Sequence, residues 1–196
     1  MTDILQEMRA YGRAHDVPIL RNSEIPLFTS IVANAQPKRI LEIGTAIGYS
    51  TLLLAQHMAP GGQITTIELD EERVATARHF MNQSPYASQI TSLQGDGTAL
   101  IDTLSGPWDF IFLDGPKGQY IRQLQKILPK LLPNALIVAD NMRYHDMIYW
   151  NGYIPHKHRT AITRLHQFLD LIYDTRYFRS VFFENGDGMT VSEWKG

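Results

Sequence analysis

The chain has 196 residues, of which 44% are hydrophobic and 19% charged, so composition predicts one folded domain over residues 1–196 rather than a disordered chain. The formal net charge of −2 gives no overall field that would attract the protein to nucleic acid or to a membrane. The chain has no cysteine, which excludes disulfides and thiolate catalysis and fits a reducing compartment, so we expect a cytoplasmic protein.

The first 36 residues predict two helices. Apolar residues recur at helical spacing from Ile4 to Tyr11, which is typical of an amphipathic helix. Ser23 is suited to cap a second helix that has Pro26 in its first turn. The amphipathic first helix could pack on the core or on a second subunit, so a homodimer is one of the open alternatives.

Five short apolar segments follow and alternate with helical patterns. This alternation predicts a parallel, doubly wound α/β sheet with helices on both faces. The last two apolar segments are joined by a turn of Asn, Gly and Asp, which predicts a hairpin that adds one antiparallel strand at an edge. The predicted strands cover residues 39–43, 64–69, 90–94, 108–113, 135–139, 180–183 and 189–194.

The segment from Glu42 to Ser50 predicts the end of a buried strand, a turn bounded by Gly44 and Gly48, and a helix start that Ser50 or Thr51 could cap. Gly44 permits a sharp turn, and Gly48 permits a ligand to approach the backbone closely. The Gly-x-x-x-Gly spacing lacks the tighter turn that a dinucleotide needs, and Glu42 is placed to meet an amine. A ligand with an ammonium, a carboxylate and a nucleoside fits these groups, and S-adenosylmethionine is one; a plain strand-to-helix turn is the alternative.

Polar residues also follow the next two strands. Glu68 ends the second strand, where a carboxylate can accept hydrogen bonds from both hydroxyls of a ribose; the alternative is a solvated helix cap. The third strand runs into Gly95, Asp96 and Gly97, a tight polar turn beside the expected adenine position. Because ligands of parallel sheets bind at the carboxyl ends of strands, these residues predict a cofactor site.

A second set of polar residues follows the fourth and fifth strands. Asp114, Asp140 and Asn141 supply only oxygen ligands, which suit Mg²⁺ or another hard divalent cation and argue against zinc. If the two strands are neighbours, about 4.8 Å apart, these side chains can surround one ion. Lys117 lies three residues after Asp114, and a lysine beside a divalent cation is suited to act as a general base. The alternatives are helix-capping aspartates and an exposed lysine.

These motifs together resemble the metal-dependent O-methyltransferases, which include the catechol, caffeoyl-CoA and bacterial tRNA 5-hydroxyuridine enzymes. The resemblance runs from about residue 23 to residue 188 and implies a Rossmann-like seven-stranded methyltransferase sheet. It implies that Asp114, Asp140 and Asn141 hold the metal, and that Lys117, with Asp114, serves catalysis. The residues that it implies around the cofactor are Glu42, Gly44, Gly48, Ser50, Glu68, Gly95, Asp96, Gly97 and Asp114.

The resemblance further implies transfer of a methyl group from S-adenosylmethionine to a metal-bound hydroxyl, with the helices of residues 1–36 covering the cofactor. The segment from Lys117 to Tyr120 resembles the tRNA-modifying enzymes most, which makes 5-hydroxyuridine in tRNA the first candidate acceptor. A basic stretch at residues 156–164 could meet RNA phosphates, although it could equally be a solvated helix start. The aromatic residues that could stack on a base or an aromatic ring are Tyr144, Tyr149, Trp150 and Tyr153.

Three alternatives remain at the level of the sequence. The acceptor could be a small catechol-like metabolite, although only Asp174, a poor match, lies near the position of the second carboxylate that the catechol enzyme uses. The chain could be a NAD-dependent oxidoreductase, which the absence of Gly-x-Gly-x-x-Gly disfavours. It could also bind the cofactor without catalysis, in which case Asp114 and Lys117 would have no role.

Overall fold

The computed structural model describes residues 2–150 and 152–196 of the chain. Their contacts group them into two compact units, of which the first ends at Gly97 and the second begins at Thr98. The single domain that composition predicts over residues 1–196 stays a prediction.

The first unit contains four helices and three strands. In chain order they are α1 (Thr2–Ala14), α2 (Ile25–Ala35), β1 (Arg39–Ile43), α3 (Tyr49–His57), β2 (Gln63–Glu68), α4 (Glu71–Asn82) and β3 (Ile90–Gln94). The second unit continues with three helices and four strands. These are α5 (Gly97–Thr103), β4 (Trp108–Leu113), α6 (Tyr120–Ile127), β5 (Leu131–Ala139), α7 (His156–Ile172), β6 (Phe178–Phe183) and β7 (Met189–Trp194).

The seven strands are ordered β3-β2-β1-β4-β5-β7-β6 in a mostly parallel sheet, which confirms the predicted fold class. In the first unit, β2 pairs in parallel with both β1 and β3. In the second, β4 and β5 are parallel neighbours, as the predicted ion site requires.

The closing hairpin differs from the prediction in one respect, because its antiparallel strand is not at the edge. Strand β7 pairs antiparallel with β5 on one side and with β6 on the other, so β6 forms the edge. Strand β6 follows helix α7 and runs in the same direction as β5. The chain then turns through the hairpin, and β7 lies between β5 and β6.

Two local predictions are wrong. Helix α2 has Glu24, not Ser23, at its N-cap position, and no side chain caps it. The fifth strand, predicted at residues 135–139, begins at Leu131, so Pro133 and Asn134, which have turn chemistry, lie inside β5. Asn134 has a φ of 63°, and the register with β4 shifts between Trp108 and Phe110, so the turn chemistry produces an irregularity within the strand.

Fully buried apolar side chains are present in both units. In the first, Leu41 of β1, Leu52 of α3 and Met8 of α1 are fully buried. In the second, Phe110 and Phe112 of β4, Leu124 of α6 and Phe168 of α7 are fully buried. Strands β1 and β4 are buried at nearly every position, as expected for parallel strands that are covered on both faces.

Of the helices described in residues 2–150 and 152–196, α7 is the longest at 17 residues, and none combines the length and the hydropathy of a membrane span.

Candidate functional site

The carboxylate of Glu42 lies at the centre of a hydroxyl network in the first unit. The side chain is fully buried, and it accepts hydrogen bonds from Ser50 (2.5 Å), Thr66 (2.7 Å) and Thr51. Thr45 joins the network through Thr66, at 2.5 Å between the two hydroxyl oxygens. An ionised carboxylate can only accept hydrogen bonds, so all three hydroxyls that contact it must donate. The network joins the end of β1 to β2 and to the start of α3.

This geometry corrects the capping role that was expected of Ser50 and Thr51. Helix α3 begins at Tyr49 with Gly48 at its N-cap position, and neither hydroxyl caps it. Both side chains turn toward Glu42 instead, because a buried carboxylate is costly unless hydrogen bonds compensate for its lost hydration. The predicted contact of Glu42 with a ligand amine stays a prediction.

The glycine turn after β1 has the backbone conformation that was expected, and Gly48 also packs closely against α4. The predicted approach of a ligand to Gly48 stays a prediction. Gly44 and Gly48 have φ values of 103° and 85°, and Ala46 between them has 46°. A Cβ atom at Gly48 would lie 3.3 Å from Met81 Cγ and 3.5 Å from Ala77 Cβ of α4. Glycine is therefore required here by its left-handed backbone and by close packing against α4.

Glu68, at the end of β2, binds the backbone of the same turn between Gly44 and Gly48. Its Oε2 accepts the N–H of Ala46 at 2.9 Å, and its Oε1 accepts the N–H groups of Leu69 and Asp70 at 2.9 and 3.0 Å. A carboxylate has about four acceptor positions, so three are already used within the chain. The helix-capping role belongs to Asp70, which accepts the N–H of Arg73 at 2.9 Å.

The predicted adenine turn follows β3 and is joined to the end of β2. The N–H of Gly95 donates to the carbonyl of Glu68 at 2.8 Å, and Gly95 has a φ of 148°. Asp96 is exposed, and Gly97 begins helix α5. The first unit thus brings the turn after β1, Glu68 and Gly95 together at the ends of three adjacent parallel strands.

Helix α1 contacts the helix that follows the glycine turn. Arg9 donates from Nε to the hydroxyl of Tyr49 at 2.7 Å and lies over that ring, 5.1 Å from its centroid. An open groove of about 820 Å³ lies beside this contact, and it is lined by Arg9, Arg13, Arg21 and the α1–α2 connection. None of the predicted site residues lines the groove, so its size alone does not identify the reaction site.

In the second unit, the ends of β4 and β5 carry the predicted ion ligands. Leu113 and Ala139 are paired in the parallel register, so Asp114 and Asp140 follow at neighbouring strand ends. The N–H of Asp140 donates to the carbonyl of Leu113 at 3.0 Å, and the Asp140 residue is only 2% exposed. Asn141 has a φ of 55°, and its N–H donates to Asp140 Oδ1 at 2.7 Å.

Lys117 is held between two partners in the same unit. Its Nζ donates to Asp114 Oδ1 at 3.3 Å and to the hydroxyl of Tyr120 at 2.7 Å. The Lys117 side chain is 10% exposed, so it is not the free surface lysine that was the alternative prediction. The structure therefore brings Asp114 and Lys117 together as the spacing predicts.

Tyr120 is the residue that sequence reasoning missed. It is fully buried, and its hydroxyl donates to the carbonyls of Leu113 (2.8 Å) and Asp140 (3.2 Å). Burial, followed by the nearby carboxylates of Asp114 and Asp140, raises the pKa of the phenol well above its usual value, so the hydroxyl stays protonated. The available signal was spacing, since Asp114, Lys117 and Tyr120 recur every three residues.

The donor set fits a hard divalent cation. Within the described residues, no three His, Cys, Asp or Glu side chains cluster in a way that could hold a metal. The predicted set needs an amide oxygen as well, because it consists of Asp114, Asp140 and Asn141. Carboxylate and amide oxygens are the ligands that Mg²⁺ and Ca²⁺ prefer. Asp114 and Asp140 follow neighbouring strand ends, which the hydrogen bond from the Asp140 N–H to the Leu113 carbonyl joins.

The basic stretch forms the first turns of α7 and is only partly available to a ligand. Lys157 and Arg159 are exposed, and Arg159 lies 5.3 Å from the centroid of the exposed Tyr153 ring. Arg164 instead points inward and donates to the carbonyl of Gly118 at 3.1 Å. Tyr144 is likewise engaged, at 3.0 Å from His158 Nδ1.

Asp174 does not provide a free second carboxylate for a catechol. Its side chain forms a 2.5 Å ion pair with Arg176 and also accepts that residue's backbone N–H. The hydrogen bonds from Arg176 lower the pKa of Asp174 to about 2.

Comparison with known proteins assigns the family. The model of the O-methyltransferase family matches residues 2–195 of this chain. The chain belongs to the O-methyltransferase family. This confirms the resemblance to O-methyltransferases that the motifs carry, and the oxidoreductase alternative is set aside.

Two curated members of the O-methyltransferase family illustrate the similarity. A catechol O-methyltransferase from Niastella koreensis is 35% identical over 111 residues, which cover 55% of this chain and 50% of that protein. A catechol O-methyltransferase from Mycobacterium tuberculosis is 32% identical over 117 residues, covering 59% and 53%. The chain thus spans about half the length of these relatives.

Solved structures of O-methyltransferases share the fold. One from Bacillus cereus, in complex with SAH, has a TM-score of 0.88 and 22% identity, with 98% of this chain and 91% of that chain covered. At this identity, the likeness concerns the fold.

Proposed function

We propose that the protein is an S-adenosylmethionine-dependent O-methyltransferase that uses a divalent cation, with Mg²⁺ as the first candidate. The observation that carries the proposal is the contact of Lys117 with Asp114 at the end of β4, next to Asp140 at the end of β5. A cofactor-binding module without activity would have no use for this cluster. Family membership and the Bacillus cereus structure with SAH support the choice of cofactor.

In the proposed reaction, the first unit holds the cofactor. Glu68 accepts a hydrogen bond from the ribose at the acceptor position that the chain leaves open, while the turn from Gly44 to Gly48 and the polar turn at Gly95 to Gly97 bind the rest of the molecule. The network around Glu42 keeps the glycine turn in place, so the cofactor meets a backbone that needs little reorganisation.

The second unit handles the acceptor. Asp114, Asp140 and Asn141 would hold the cation, which when bound lowers the pKa of an acceptor hydroxyl. Lys117 takes the hydroxyl proton. The oxygen lone pair then forms a bond to the methyl carbon while the carbon–sulfur bond breaks, and the sulfonium becomes a neutral thioether.

The acceptor in this proposal is the hydroxyl of 5-hydroxyuridine in tRNA. The supporting observation is an exposed group of rings and charges in the second unit, formed by Trp150 and Tyr153 with Lys157 and Arg159. Exposed rings can stack on unpaired bases, and nearby cations can contact phosphates. A cytoplasmic location would suit such a substrate.

A small catechol-like metabolite is the second candidate acceptor. The observation that favours it is the printed activity of the two curated relatives, both catechol O-methyltransferases. The ion pair between Asp174 and Arg176 weighs against it, because that carboxylate is already engaged.

One experiment tests the reaction and separates the acceptors. Transfer of a labelled methyl group from S-adenosylmethionine is measured with bulk tRNA and with a catechol panel, each with Mg²⁺ and with excess chelator. We expect label in tRNA that requires Mg²⁺. The Asp140→Ala variant should lose this transfer and still bind S-adenosylhomocysteine, since Asp140 lies in the second unit.

The Asp174→Ala variant is the matched control, because it removes an aspartate that has no role in the proposed cluster. It should keep tRNA methylation. Label in catechols alone would select the second acceptor. Full transfer in excess chelator would refute the metal mechanism and return Asp114, Asp140 and Asn141 to structural roles.

A further inference from the structure

The buried Tyr120 hydroxyl joins three separate parts of the second unit. Its O–H faces the carbonyls of Leu113 and Asp140, so the oxygen is fixed by the ends of β4 and β5. Its ring meets Phe168 of α7 edge to face, with centroids 5.5 Å apart. A side chain held at both ends in this way has little freedom to move.

The same oxygen accepts a hydrogen bond from Lys117 Nζ at 2.7 Å, which is shorter than the 3.3 Å from Nζ to Asp114 Oδ1. The amine also lies 4.9 Å from the centroid of the Tyr120 ring. A lysine side chain is long and flexible, so a fixed partner decides where its amine lies. The Tyr120 oxygen is the nearer of the two partners, and it is itself held by the carbonyls of Leu113 and Asp140.

We propose that Tyr120 is the positioning residue for Lys117, and that it sets the place of the base relative to the ends of β4 and β5. This inference rests on the proposed function, in which Asp114 is committed to the cation and Lys117 takes the proton. With Asp114 so engaged, Tyr120 is the partner that still holds the amine. Tyr120 acts through Lys117, whose amine it contacts.

The test is a double-mutant cycle on kcat. Tyr120→Phe keeps the ring and its contact with Phe168 but removes the hydroxyl. We expect kcat to fall about tenfold, as for the loss of one hydrogen bond that positions the base, with KM for S-adenosylmethionine unchanged within about twofold. In a Lys117→Met background, the same change should lower kcat no further, because the amine that it positions is gone.

Tyr177→Phe is the matched control, since this tyrosine stacks on Trp194 in the same unit and should leave kcat unchanged. A wild-type kcat for Tyr120→Phe, or an equal loss in both backgrounds, would overturn the inference and leave the proposed function intact. A fully active Lys117→Met would instead refute the base in the proposed function.

A second measurement does not depend on the variant folding. In a crystal structure of the wild-type protein with S-adenosylhomocysteine and Mg²⁺, Lys117 Nζ should lie within hydrogen-bond distance of the Tyr120 hydroxyl. A separation well beyond that distance would overturn the inference.

Discussion

At the scale of single residues, the buried Glu42 shows how one charge organises a turn. Removing one partner of a buried, hydrogen-bonded charge is more damaging than losing a surface contact, because the remaining groups are left unsatisfied. The Glu42 partners Ser50 and Thr66 lie 8 and 24 residues away from Glu42 in the chain. Sequence spacing identified Glu42 and Ser50 as site residues, but it could not show that they bond to each other.

The residue-scale prediction concerns Glu68. Glu68→Ala should weaken S-adenosylmethionine binding about tenfold or more, since hydrogen bonds to a charged group are worth roughly 1.5–3 kcal/mol each. The loss includes the anchor at the Ala46 N–H as well as the ribose contacts. Titration calorimetry measures the affinity directly.

Asp70→Ala is the control for this prediction. It removes the cap of α4, which should cost about 1 kcal/mol of stability, and it should leave the affinity for the cofactor unchanged. An unchanged affinity in a folded Glu68→Ala variant would exclude Glu68 from the cofactor site.

At the scale of elements, periodicity predicted that each strand exists. It predicted less well where some strands begin and which strands pair with each other. The predicted bounds of β1, β3, β4 and β7 agree with the structure, because each is a short apolar run between turn residues. Strand β5 was predicted too short, since Pro133 and Asn134 carry turn chemistry but sit in an irregular strand. The position of β7 in the sheet depends on its pairing with β5, which is distant in the sequence. A local sequence pattern carries no information about such pairing.

The element-scale prediction concerns the contact of α7 with the segment Lys117–Gln119. Arg164 donates to the Gly118 carbonyl, and a Cβ atom at Gly118 would lie 3.6 Å from Ala161 Cα, so α7 supports the backbone that carries Lys117. Arg164→Ala should therefore lower kcat about threefold to tenfold, as for one lost hydrogen bond. Steady-state kinetics with calorimetry of S-adenosylhomocysteine binding should show an unchanged cofactor affinity.

His166→Ala is the control on the same helix, because His166 is exposed and lies outside this contact. It should retain the wild-type kcat. If Arg164→Ala also retains it, the contact with Gly118 serves packing alone.

At the scale of the whole molecule, the proposed tRNA acceptor has to bind a chain with a net charge of −2. Attraction must then come from a local patch, and α7 offers Lys157 and Arg159. For single-stranded RNA, the slope of log affinity against log salt is about −0.7 per phosphate contact. Replacing both residues with alanine should flatten the slope by roughly 1 to 1.5 units. Filter binding of tRNA over a salt series measures it.

The control removes two positive charges elsewhere in the second unit, by Arg122→Ala with Arg179→Ala. Arg122 is exposed on α6, and Arg179 forms a surface ion pair with Glu193 at 2.9 Å. This pair of changes should leave the slope unchanged. If both double variants flatten the slope equally, net charge and not the α7 patch attracts RNA.

The division of the chain near Gly97 has a consequence for how such a protein can diverge. The residues expected to hold the cofactor lie before it, apart from Asp114, and those expected to handle the acceptor lie after it. Substitutions after Gly97 can therefore redirect the methyl group to a new acceptor, while the residues expected to bind the donor stay unaltered. A lineage could change its substrate many times and still carry the same first unit.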